Sequence, residues 1–153
     1  MTLPLALRAT VSGSLGSLTS TAALMVLAEA AGKSAWQPTN ATSHWRHGPI
    51  AAAVRQADTA HTGVGYATHH AATVFWALGY EWWAGSRVRL TPAAAFGGAL
   101  AVSALAAVVD YGATPKRFTP GWEFVLSRRA MAGAYLAMAA GLAAGALLVR
   151  RQA

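Results

Sequence analysis

Two groups of histidines carry most of the chemistry this chain can offer. The first is the adjacent pair His69-His70, set among Tyr66, Thr73, Trp76, Tyr80 and Glu81. The second is His44 and His47, three residues apart in Ser-His-Trp-Arg-His, followed by Asp58 and His61. Imidazole donates, accepts and ligates near neutral pH, so either group suits haem iron, another metal, a quinone headgroup or a proton relay. The chain has no cysteine, which excludes thiolate metal sites, disulfides and c-type haem attachment. It also has no Walker loop, no Gly-x-Ser-x-Gly elbow, no His-Glu-x-x-His and no Rossmann fingerprint, so a non-enzymatic role is favoured.

Wound as a helix, the first group falls within an arc of about 140°. Val64, Ala67, Ala71, Val74, Phe75, Leu78 and Trp82 occupy the opposite side. The polar arc should therefore face protein or a cavity, and the apolar arc lipid or packed neighbours. Adjacent helical residues point about 100° apart, so His69 and His70 do not chelate one ion together. A haem held by two imidazoles needs them on opposite faces of the porphyrin. The other apolar stretches contain no histidine, so only a homodimer could supply such a pair. The favoured alternative is structural, with both rings bonded to Ser, Thr or carbonyl groups of neighbouring helices.

In the second group, His44 and His47 on one helical turn could hold a divalent ion, helped by Asp58 and His61. Pro38, Gly48 and Pro49 make that backbone irregular, however, and Trp36 and Trp45 beside it suit a headgroup layer. An interfacial role is favoured over a metal site. The triplet Asn40-Ala41-Thr42 fits a glycosylation pattern that has no meaning in a bacterial cell.

Four long apolar stretches must position these residues. Each is about 20 residues, the length that spans roughly 30 Å of hydrocarbon. They lie at about 9–31, 62–83, 92–111 and 130–149, and a soluble domain of this size could not bury them all. Hydrophobic residues make up 55% of the chain and charged residues only 11%, far below soluble norms. The expected fold is all-α: a single integral membrane domain over residues 1–153, built as a membrane-embedded four-helix bundle. The competing reading takes Ala28-Glu29-Ala30 as the cleavage site of a signal peptide. Against it stand the length of the segment, its Gly and Ser content, and Glu29 at the cleavage position.

The boundaries carry their own signals. Gly32 with Lys33 should stop the first span, and Thr91-Pro92 should start the third. Thr119-Pro-Gly-Trp-Glu reads as the capped start of a fourth helix about 45 Å long, with Trp122 as a headgroup anchor. Small residues at four-residue spacing, Gly13-Ser17-Thr21 and Gly133-Ala137-Gly141-Gly145, predict close helix approach. Packing within one bundle is favoured over a dedicated dimerisation face. Glu29, Glu81 and Asp110 stand at helix C-terminal ends, where the dipole is unfavourable. Lys33, Arg87 with Arg89, and Lys116 with Arg117 are their expected partners.

The net charge of +7 sits beside the apolar ends and not in one patch, which points to anionic headgroups and away from nucleic acid. Arg8, Arg87, Arg89, Arg150 and Arg151 fall on one side of a four-span topology. Lys33, Arg46, Arg55, Lys116, Arg117, Arg128 and Arg129 fall on the other. This near tie leans to cytoplasmic termini once the amino terminus is added. The expected location is the bacterial inner membrane, with the bilayer as partner and a homo-oligomer or larger membrane complex as the further association.

The run Asn40-Ala-Thr-Ser-His-Trp, then His61-Thr-Gly, His69-His70, Phe75-Trp76-Ala and Tyr80-Glu81, resembles small uncharacterised bacterial integral membrane proteins. Asp110-Tyr-Gly, Pro115-Lys-Arg and Thr119-Pro-Gly-Trp-Glu extend the resemblance over most of the chain from residue 40 onward. It implies the multi-pass fold and no particular activity, substrate or cofactor.

Overall fold

The computed structural model describes residues 3–151; the side chain of Arg151, counted above among the flanking cations, lies outside the described set. All regular structure among these residues is helical. Four long helices dominate: α1 (Leu5–Ala30), α4 (Val64–Gly85), α5 (Pro92–Val108) and α6 (Arg128–Arg151). Between the first two lie short helices α2 (Gln37–Ala41) and α3 (His44–His47), a 3-10 turn at Pro49–Ala53 and a π turn at Thr59–Gly63.

Three helical stretches are long and apolar enough to cross a membrane: Leu5–Ala30, Pro92–Ala113 and Arg128–Arg150. The sequence predicts a fourth at α4. That helix has the length but is not among the three, its apolar run being interrupted by His69, His70 and Glu81.

Local chemistry accounts for most boundaries. Gly32 adopts φ +71°, and the Lys33 and Gly32 amides donate to the carbonyls of Ala28 and Glu29, both at 2.9 Å. This is a Schellman end, which needs a residue free of Cβ strain at its left-handed position. Pro92 opens α5, and the Thr91 hydroxyl accepts the Ala94 amide at 3.2 Å.

The predicted helix from Thr119 is overturned. Gly121 has φ +80°, Trp122–Phe124 is a single 3-10 turn, and Val125 breaks the path before α6 begins at Arg128. The Thr119 hydroxyl donates to the Glu123 carboxylate at 2.6 Å and caps nothing. Ser127 takes the capping role, its hydroxyl accepting the Ala130 amide at 3.3 Å. Trp122 is buried, its Nε1 donating to the Thr42 hydroxyl at 3.1 Å, so it is no headgroup anchor.

The chain divides into two units. One comprises residues 1–20, 70–106 and 135–153; the other comprises 21–69 and 107–134. In the first, small residues bring α1 against α4 and α6. A methyl group added at Gly13 would sit 2.7 Å from the Val74 Cα, and one at Gly141 2.7 Å from the Gly16 Cα. One at Gly145 would meet the Ser12 backbone. The Thr19 hydroxyl donates to the Ala137 carbonyl at 2.7 Å, closing the same seam with a hydrogen bond.

In the second unit Asn40 organises the long connection. It is fully buried, its Nδ2 donating to the carbonyls of Val54 (2.9 Å) and Gln56 (3.0 Å) while its Oδ1 accepts the Thr62 hydroxyl. Gly65 on α4 packs so closely on the Thr39 carbonyl that no side chain fits there.

Candidate functional site

The polar and apolar residues of α4 separate onto two faces as the helical winding predicts. Tyr80 and Glu81 are fully buried, and His69 and Thr73 nearly so. Tyr66, His70 and Trp76 are half-buried. Opposite them, Phe75 is 65% and Trp82 72% exposed.

Within the first unit, each polar group of this arc that can be followed ends on a neighbouring helix. The Ser17 hydroxyl of α1 lies 2.9 Å from His70 Nδ1. Tyr80 donates to the Ala95 carbonyl of α5 at 2.9 Å. Glu81 Oε2 lies 3.4 Å from Arg8 Nε and 3.2 Å from an Arg150 terminal nitrogen, joining α1, α4 and α6. Arg8 also donates to the Leu3 carbonyl at 2.6 Å, and Arg150 to the Ala146 carbonyl at 2.7 Å. The other carboxylate oxygen, Oε1, is buried with no hydrogen-bond partner among the described residues.

These pairings correct the local ones expected from sequence. Arg87 lies over the Trp83 ring, 4.6 Å from its centroid, as a cation–π contact. Neither it nor Arg89 pairs with Glu81. Glu29 and Lys33, four apart, likewise form no ion pair among the described residues.

His69 belongs to the second unit, where its ring meets the Trp122 ring edge-on at 5.4 Å. On the same helix Thr68 accepts the Trp45 Nε1 proton at 3.2 Å.

Three of the four residues in the connection group come together, and His44 stands apart from them. The His47 and His61 rings are 4.6 Å apart, and His61 Nδ1 lies 2.9 Å from the Asp58 carboxylate. His47 Nε2 is already 3.0 Å from the Ala60 carbonyl. His44, buried, points Nδ1 at the Ala41 carbonyl (2.9 Å) and Nε2 at the Lys116 carbonyl (3.0 Å). No cluster of three or more His, Asp or Glu among the described residues is arranged to hold a metal ion. The proposed ligand set His44, His47, Asp58 and His61 therefore does not converge on one point.

Asp58 has a clear structural task instead. Its carboxylate accepts the His61 amide and its own amide donates to the Thr62 hydroxyl at 3.0 Å, closing the entry to α4 from both directions. The His61 backbone N–H, and then its ring, hold the Asp58 carboxyl below the usual aspartate value. A depressed folded-state value stabilises above the unfolded value and loses that contribution as pH falls through the folded one. Acidification below about pH 4 should therefore lower the amide-exchange protection factors across residues 59–63, taken against the intrinsic rate at each pH. Asp58→Ala should show the lowered protection already at neutral pH, and unchanged protection in that variant would refute the capping role.

The sequence offers no advance sign of Asn40 as the organiser of the connection beyond its place in a polar run. Burial and three hydrogen bonds single it out only in three dimensions. The fold and its polar seams define an all-helical protein with three membrane-competent helices. Comparison with protein-family models, with curated proteins and with solved structures finds no match.

Proposed function

We propose that this chain is a multi-pass protein of the bacterial inner membrane in which α1, α4, α5 and α6 form a four-helix bundle. Its role is non-enzymatic, as an accessory subunit or a small oligomeric membrane factor. The observation that carries this reading is how α4 uses its polar groups. His70, Tyr80 and Glu81 engage Ser17, the Ala95 carbonyl, and Arg8 with Arg150, while Phe75, Leu78 and Trp82 remain outside. A helix whose polar atoms bond within the bundle can cross hydrocarbon despite its composition.

Topology tests the α4 span directly, because the chain has no native cysteine. Single cysteines at Ser34 and Val88 flank α1 and α4 on exposed or partly exposed connections. In sealed membrane vesicles a spanning α4 puts them on opposite faces, so an impermeant maleimide should label one and spare the other. Labelling of both from one face would remove α4 from the bilayer. Protein purified from native membranes should be colourless and should recover either further copies of itself or a larger complex. A Soret band abolished by His70→Ala would replace this reading with a redox one.

A further inference from the structure

The second unit contains an open cavity of about 580 Å³ that none of the roles above uses. Its lining includes Arg46, Lys116 and Arg117, with His47, Trp45 and Phe124, and no carboxylate. We propose that this cavity binds a phosphate group, carried by a lipid headgroup or by a soluble phosphate.

Charge is the first argument. Three permanent cations share one concavity, and like charges held together repel unless an anion joins them. No acid of the same unit lines the cavity, and two of them are engaged elsewhere: Asp58 with His61, and Glu123 with the Thr119 hydroxyl. The lining therefore carries positive charge with no anion of its own, which a ligand from outside the chain can supply. Two guanidinium forks and an ammonium match the several acceptor oxygens and the charge of a phosphate better than a single carboxylate.

Preorganisation is the second argument. Arg117 Nε donates to the Trp45 carbonyl at 3.2 Å, and buried His44 spans from the Ala41 carbonyl to the Lys116 carbonyl. These bonds fix the 116–118 turn against α3, so the two cationic walls are set before any ligand arrives. The Phe124 ring packs edge-on to His44 at 5.2 Å and, with Trp45, gives the cavity an apolar side. That side suits the glycerol and first methylenes of a phospholipid without requiring them.

The test uses the full chain purified in an uncharged detergent. Phosphatidylglycerol in mixed micelles and inorganic phosphate at constant ionic strength are titrated separately, following the thermal midpoint. The double variant Arg46→Gln/Lys116→Gln removes two cations whose side chains bond to no described residue. It should bind at least about ten-fold more weakly. Lys33→Gln/Arg89→Gln removes the same charge away from the cavity and should bind like the parent. Should the double variant fail to fold, Lys116→Gln alone makes the same comparison. Stabilisation by both probes identifies the phosphate group itself as the ligand. Stabilisation by phosphatidylglycerol alone identifies a lipid headgroup, and by inorganic phosphate alone a soluble phosphate. No response to either probe, or equal weakening in the cavity and control variants, overturns the proposal.

Discussion

Replacing both Arg8 and Arg150 with leucine should destabilise the helical unit by about 3–5 kcal/mol, because it strands a buried carboxylate. Glu81 has no exposed surface, and its ion pairs are to these two residues. The arginine side chains retain 17% and 23% exposure, so they can reach water or headgroups when unpaired. Glu81 has no such route. The asymmetry makes the arginine variant worse than Glu81→Gln, which leaves two cations near the surface and no buried charge. It also predicts a rescue. The triple variant Arg8→Leu/Glu81→Leu/Arg150→Leu removes the charge together with its partners and should recover most of the loss. The measurement is the thermal midpoint in detergent, expected to fall by on the order of 10 °C in the double variant and largely return in the triple. A double variant as stable as the parent would mean that these arginines do not hold Glu81.

The same cluster marks where local reading of the sequence stops. Helix ends were legible because their signals are local: Gly32 before Lys33 for a Schellman stop, Thr91 before Pro92 for a capped start. The polar arc of α4 was legible because helical periodicity fixes which residues share a face. Partners were not legible. Proximity along the chain assigned Arg87 and Arg89 to Glu81, yet its partners lie 73 and 69 residues away. The start of α6 failed for a related reason. Thr119-Pro-Gly satisfies a capping pattern, but Gly121 turns left-handed against the Ala41 carbonyl and the His44 ring, contacts no local pattern encodes. His44 likewise reads as half of a metal pair by spacing, while its two nitrogens are taken by carbonyls from different segments.

The small-residue lines of α1 and α6 carry the second large effect. Gly141→Ala and Gly145→Ala should each destabilise by about 1–3 kcal/mol, at the upper end of that range. The new methyl at 141 would meet the Leu15 carbonyl and lie 2.7 Å from the Gly16 Cα, and that at 145 would meet the Ser12 Cα. The Thr19 hydroxyl also meets the methyl at 141 and the Ser12 Cβ that at 145, but the remaining neighbours are backbone, so no rotamer change alone relieves the contact and the helices must part. Separation also lengthens the Thr19 bond to the Ala137 carbonyl, so packing and hydrogen bonding fail together. Gly79→Ala and Gly97→Ala are the matched controls, since nothing lies within 4 Å of a methyl at either position. There the helix-propensity gain of alanine, up to about 1 kcal/mol, is the only term in play. Thermal midpoints of the four variants should fall into two separated pairs, with 79 and 97 at or above the parent. Native gels of the same samples distinguish the roles of the seam. If Gly145→Ala keeps its midpoint and loses an oligomer, the small-residue face serves association between copies and not the packing of α1 on α6.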